Sequence, residues 1–161
     1  MSPAPRDLAT RTADALSALT APTADAWVAT ASADGAPHLV PLTIAWYDER
    51  ILLAVEGRSL TARNVVTSGR ARLGIGPTRD VVVVDATLER CVPVDDEPPL
   101  GAAYARQADW DPRGDDDYVF LVLRPVRVQA WRDVAELAGR TLMRDGVWIT
   151  RQPSPRRSEA P

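Results

Sequence analysis

Three apolar runs follow one another with links too short to hold a crossover, and this constrains the fold more than any other feature. Residues 26–32, 37–46 and 51–55 each have strand length and bounding. Asp34-Gly35 supplies a tight-turn signal between the first two, and Asp48-Glu49-Arg50 turns the chain into the third. Hairpin-length links require antiparallel pairing and exclude a βαβ unit. Pro41 inside the second run cannot donate to a ladder, so it marks an edge or a place where pairing is interrupted beside a ligand.

The remainder extends the same theme. Leu8, Thr12, Ala15, Leu16 and Leu19 predict one face of a helix over residues 6–19, closed by Pro22. Residues 60–68 allow two helical turns, and 70–75, 81–94 and 118–131 read as further strands. Short helices are expected at 100–108, after the acidic, proline-bearing stretch 95–99, and at 133–140. Residues 143–148 read as a turn, and the Asp115-Asp116-Asp117 run, which lacks calcium-loop spacing, as a solvated loop. The predicted architecture is mainly β: a six-stranded antiparallel split barrel of Greek-key type with short helices. It forms one domain over residues 1–152, with the barrel at 26–132, a closing segment at 133–152 and a disordered tail at 153–161. Val81 to Val84 do not alternate with polar residues, which predicts a strand covered on both faces, the second cover being a partner subunit.

Composition removes several chemistries. All 19 basic residues are arginine, so no Schiff-base or general-base lysine exists. One cysteine, Cys91, forbids an internal disulfide, and with His38 as the single histidine no His/Cys metal centre is available. A net charge of −3 argues against nucleic acid, despite Arg156 and Arg157 near the C-terminus. No window has the roughly twenty apolar residues of a membrane span, and the N-terminus lacks a signal-peptide core, so a cytoplasmic location is expected.

The stretch from Arg58 to Asn64 carries the strongest local chemistry. Ser59 is a natural N-cap and Gly69 a natural left-handed stop. A strand feeding a helix N-terminus gathers free N–H groups and the positive dipole end, here beside Ser59, Thr61, Arg58 and Arg63. That setting suits a phosphate. It also fits an ordinary capped helix with solvated arginines.

Four segments stand in a familiar order: 35–42 with its His38 and Pro41, 59–64, 70–73, and 131–148 with Trp131, Arg140 and Trp148. Together they resemble the pyridoxamine 5′-phosphate oxidase-like superfamily, the flavin or deazaflavin split barrels, over residues 27–148. The resemblance implies a homodimer with cofactor at its interface. FMN is the implied cofactor, with F420 as the alternative and haem behind both. It places Ser59, Thr61, Arg63 and Asn64 near the phosphate, with Arg58 as a further cation. Pro41, Leu42 and Thr43 lie along the ring, Trp131 and Arg140 close the site, and Arg79 reaches in from the partner. The implied activity is hydride transfer to or from a small organic substrate; a non-catalytic flavin, F420 or haem carrier is the alternative.

The departures from that family are specific. Val40 and Ala45 stand where the oxidases place basic residues, and Leu60 and Thr61 stand where they place phosphate-loop cations. No histidine follows Trp131 to hold a pyridoxine phosphate. Each lost charge-assisted bond removes on the order of 1.5–3 kcal/mol, which argues against pyridoxamine 5′-phosphate oxidation itself. No residue is a compelling catalytic acid or base; Tyr47, Asp80 and His38 are the available candidates.

Overall fold

The computed structural model describes residues 4–151. The predicted tail and its two arginines lie outside the described residues. Helix α1 (Leu8–Thr20) is followed by strands β1 (Asp25–Ala31), β2 (Pro37–Tyr47) and β3 (Arg50–Glu56). Helix α2 (Leu60–Ser68) leads to β4 (Arg70–Ile75) and β5 (Val81–Pro93), and α3 (Pro98–Gln107) leads to β6 (Tyr118–Trp131). A 3-10 helix (Val134–Gly139) then precedes β7 (Thr141–Arg144) and β8 (Val147–Trp148).

All pairings are antiparallel, and an added β3–β6 pairing closes the ring β1-β2-β3-β6-β5-β4. The expected six-stranded barrel is therefore present, with β7 and β8 as a hairpin added to β6. That hairpin corrects the reading of 143–148 as a simple turn. Asp145 and Gly146 both hold positive φ, which gives the reversal a two-residue hairpin needs. The expected helix at 133–140 is a 3-10 turn opened by Asp133, whose carboxylate accepts from the Ala135 N–H.

Barrel interior comes from one side of each strand, with Val28, Ile44, Leu53, Leu73, Val84, Leu121 and Val128 all fully buried. A second cluster forms where α3 lies over the outside of the barrel, joining Leu100, Ala103 and Tyr104 to Ala45, Leu52, Phe120 and Val122. This relocates the doubly covered strand. In β5, Val82 and Val84 point inward and Val81 and Val83 remain partly exposed, so the valine run has one covered face within the chain. It is β3 that is buried on both sides, from Ile51 to Val55, because α3 supplies its second cover.

Helix α1 buries Arg11, Ala15 and Leu19, one residue per turn. Arg11, rather than the expected Thr12, completes the inward face. Among the described residues, no helix is long and apolar enough to cross a membrane.

Candidate functional site

The site begins with a strand that loses its neighbour. Strand β2 pairs with β1 from Pro37 to Thr43, but with β3 only from Ile44 to Tyr47. Beyond that point β3 turns to β6 alone, as Ala54, Val55 and Glu56 face Phe120, Val119 and Tyr118. Pro41 thus sits on a stretch with one unpaired edge, which fits its missing N–H. The opening between β2 and β3 is a cavity of about 480 Å³.

Its walls come from five elements and the loop before β6. His38, Val40, Pro41, Leu42 and Thr43 line the β2 side, and Ala54, Val55 and Glu56 the β3 side. Ser59, Leu60 and Thr61 at the start of α2 and the aromatics Tyr104, Trp110 and Tyr118 complete the lining. Those aromatics pack edge to face, Tyr104 on Trp110 at 5.8 Å and Trp110 on Tyr118 at 5.4 Å. The Tyr104 hydroxyl donates to the Thr43 carbonyl at 3.1 Å. Burial pushes its pKa up to about 12, so it remains a donor at neutral pH.

Helix α2 is aimed at this cavity and capped as its sequence predicts. Ser59 Oγ accepts from the Ala62 N–H at 3.1 Å, and Gly69 at φ 70° donates its N–H to the Val65 carbonyl. The Ser59 N–H is taken by the Glu56 carbonyl, which leaves the N–H groups of Leu60 and Thr61 without an acceptor among the described residues. Thr61 is 4% exposed, and its hydroxyl makes no bond to a described residue. No fully enclosed polar side-chain atom goes unpaired among the described residues, so that hydroxyl opens onto the cavity.

Of the residues chosen from sequence, Pro41, Leu42, Thr43, Ser59 and Thr61 come together here. Asn64 lies beneath, its amide donating to the buried Thr30 hydroxyl at 3.0 Å and tying α2 to β1. Arg58 and Arg63 are exposed outside the cavity lining, Arg58 at 3.5 Å from Asp117. Arg79 lies on the exposed β4–β5 turn. Trp131 and Arg140 are together but elsewhere: the Arg140 guanidinium stands 5.8 Å from the Trp131 ring centroid. With the Gln129 amide oxygen turned toward them, it accepts from Arg140 Nε at 3.2 Å and Arg127 Nη2 at 2.9 Å.

The outer face of the barrel separates these two groups. Pairing runs Pro41–Trp27–Gly74–Val83–Gln129 across β2, β1, β4, β5 and β6. Along that row Trp27 is 56% exposed, and neighbouring Leu39 is 58% exposed. The aromatic wall was missed from sequence. Trp110 falls in a loop rich in Asp, Pro and Gly, and only its closeness to Tyr104 and Tyr118 hinted at a packed cluster.

The family model described as pyridoxamine 5′-phosphate oxidase matches residues 13–132. No curated protein matches the chain. Among solved structures, one described as an F420 reductase is 22% identical, with a TM-score of 0.57, covering 70% of this chain and 94% of its own. A haem-binding protein from Mycobacterium smegmatis is also 22% identical, with a TM-score of 0.62, covering 88% of this chain and 59% of its own. A pyridoxamine 5′-phosphate oxidase-related, FMN-binding protein from Nostoc punctiforme PCC 73102 is 16% identical, with a TM-score of 0.53 and coverage of 76% and 78%. At these identities the likeness is one of fold.

Proposed function

The chain belongs to the pyridoxamine 5′-phosphate oxidase family, and on that premise we propose a flavin- or deazaflavin-dependent oxidoreductase. It binds FMN, or F420 in its place, at a homodimer interface and moves hydride to or from a small organic substrate. One observation carries this reading. A capped helix with two free N–H groups meets an unpaired, proline-bearing strand edge at an aromatic-walled cavity. Helix N-terminus and hydroxyl suit the phosphate, and the strand edge and aromatic wall suit the ring.

Each of the chain's own groups has a defined task. The Leu60 and Thr61 N–H groups and the Thr61 hydroxyl hold phosphate oxygens; Ser59, spent on its cap, fixes their direction. Pro41, Leu42 and Thr43 present backbone to the ring, and Tyr104 holds the Thr43 carbonyl in place. Tyr104, Trp110 and Tyr118 exclude water along the aromatic wall. When bound, the cofactor supplies the hydride chemistry. His38 and Glu56 are the cavity's remaining ionisable groups able to hold or pass a proton.

A single protomer places no arginine in this cavity lining. The missing cations and the exposed apolar row have a common solution in a two-fold dimer. Packing Trp27, Leu39 and Val83 against a second copy brings Trp131, Arg140 and Arg127 of one protomer toward the α2 end of its partner. This arrangement fits the departures noted above: with Val40, Leu60 and Thr61 in place of cations, the anion site depends on trans arginines. The oxidase's own substrate is not assigned, since no histidine follows Trp131.

Titration of the chain with FMN and with F420, read by ring fluorescence, tests the proposal. Binding of either below micromolar Kd is expected, and failure of both to bind below about 0.1 mM, roughly 5.5 kcal/mol, would remove it. A second reading, a haem-binding carrier without turnover, is favoured by one placement: the chain's single histidine lines the cavity. Under that reading His38→Ala abolishes a Soret band formed with added haem; an unchanged band excludes His38 as the axial ligand.

A further inference from the structure

A further large cavity belongs to neither group of residues above. It lies between the start of α1, the 3-10 helix and the β7–β8 hairpin, and has a volume of about 710 Å³. Its apolar lining includes Leu8, Ala135, Ala138 and Ile149, and its charged lining includes Arg6, Arg11 and Arg144 with Asp7 and Glu136.

The charges differ sharply in how they are used. Glu136 is saturated: it accepts from Arg6 Nε, Arg6 Nη2, the Arg6 N–H and the Arg132 N–H. Arg6 is likewise committed to Glu136 and Asp14. Arg11 is not. Its side chain, in a residue only 3% exposed, reaches three carbonyls, those of Asp7, Glu136 and Gly139, through Nε and Nη1. It makes no carboxylate ion pair among the described residues. Bonding to the two carbonyls of the 3-10 helix is a structural clamp, and it accounts for Nη1. It leaves Nη2 with no hydrogen bond to any described residue, and since no enclosed polar atom there is unpaired, Nη2 opens onto the cavity. Arg144, on β7, lines the same space, and its side chain makes no ion pair or hydrogen bond to a described residue. Asp7 is the one counter-charge left, and its carboxylate already caps α1 through the Thr10 N–H.

We infer that this cavity is a second ligand site, taking a small organic anion whose carboxylate or phosphate head pairs with Arg11 and Arg144. The ligand's apolar body lies against Leu8, Ala138 and Ile149. A buried Arg11 guanidinium facing the cavity beside the exposed Arg144 favours an anion over a neutral ligand, because only a charged acceptor replaces the lost solvation of the buried fork. The volume suits a drug-sized molecule. This site does not depend on the cofactor reading.

Calorimetric titration of the full chain with phenylphosphate, benzoate and benzyl alcohol tests it. At least one of the two anions is expected to bind with a sub-millimolar Kd, while the neutral alcohol does not. Arg144→Ala, an exposed change, is expected to weaken the anion about tenfold or more. Arg11→Lys, which keeps the charge and withdraws Nη2, is expected to weaken it as well, with Arg144→Ala sufficing if that variant fails to fold. Leu60→Glu at the α2 cavity is expected to leave the anion's affinity unchanged. No anion binding up to about 10 mM would overturn the proposal. So would binding indifferent to Arg144→Ala, or binding lost in Leu60→Glu, which would place the anion at α2 instead.

Discussion

Glu136 joins chain segments that are far apart in sequence. Its carboxylate takes both Arg6 and the Arg132 backbone, so it locks the N-terminus onto the closing segment. The bonds to Arg6 come first among the causes that hold its pKa down at about 2, against the ordinary 4.5. A carboxyl with a lowered folded-state pKa contributes stability that is complete above the unfolded value. That stability is lost as the pH falls from about 4.5 through about 2. Urea melts of Glu136→Ala at neutral pH are expected to show a loss of about 3 kcal/mol, because the half-buried Arg6 loses its bidentate partner and keeps only the Asp14 and Asp80 contacts. The difference from wild type should shrink below pH 4; a difference independent of pH would contradict the pairing. None of this was legible in sequence. Arg6 and Glu136 are 130 residues apart, and neither belongs to a motif. Arg11 was hidden for a related reason: an arginine at an inward helical position reads as a break in the apolar face until its carbonyl acceptors are known.

At the level of elements, α2 was the most readable piece of the chain. Its bounds, Leu60–Ser68, and both caps match the reading from Ser59 and Gly69, because capping is local chemistry written in adjacent residues. Cap and cofactor functions separate by substitution. Ser59→Ala is expected to cost about 1 kcal/mol in denaturant melts by removing the cap. Ser59→Asp keeps an acceptor for the Ala62 N–H but sets a carboxylate beside the proposed phosphate position. It should melt as wild type and bind FMN or F420 at least about tenfold more weakly. Equal affinity in Ser59→Asp would detach α2 from the cofactor. The β7–β8 hairpin was less readable, since flanks of four and two residues are too short to show alternation around Asp145-Gly146. The valine run misled in an instructive way. Val81 and Val83 are apolar although α3 covers β3 instead, so the sequence reports an apolar outer face without saying what lies against it.

For the whole molecule, the antiparallel succession of β1, β2 and β3 followed from turn lengths and the six-stranded barrel from the strand count, whereas the β1–β4 and β3–β6 pairings and the β7–β8 extension did not follow from sequence. The division of the candidate site did not follow. Motifs in correct order along the chain fall in two separate groups on the barrel, because order in sequence does not fix where on the barrel each motif lands. Trp27, exposed at the middle of the intervening face, is the position where that arrangement is most vulnerable. Trp27→Glu is expected to sediment as a monomer and to lose cofactor binding together with the dimer. A monomeric variant with full affinity would place the whole site within one chain.

The most direct measurement mixes two damaged proteins. Leu60→Glu blocks the α2 end of its own cavity, and Arg140→Ala removes the cation that the proposed dimer lends to a partner's site. After the two are unfolded and refolded together, random pairing gives heterodimers in about half the molecules, each with one undamaged site. Fluorescence titration should then recover tight cofactor binding at about a quarter of the sites, although neither variant alone binds tightly. If the mixture binds no better than the two variants measured separately, the site is not shared between subunits.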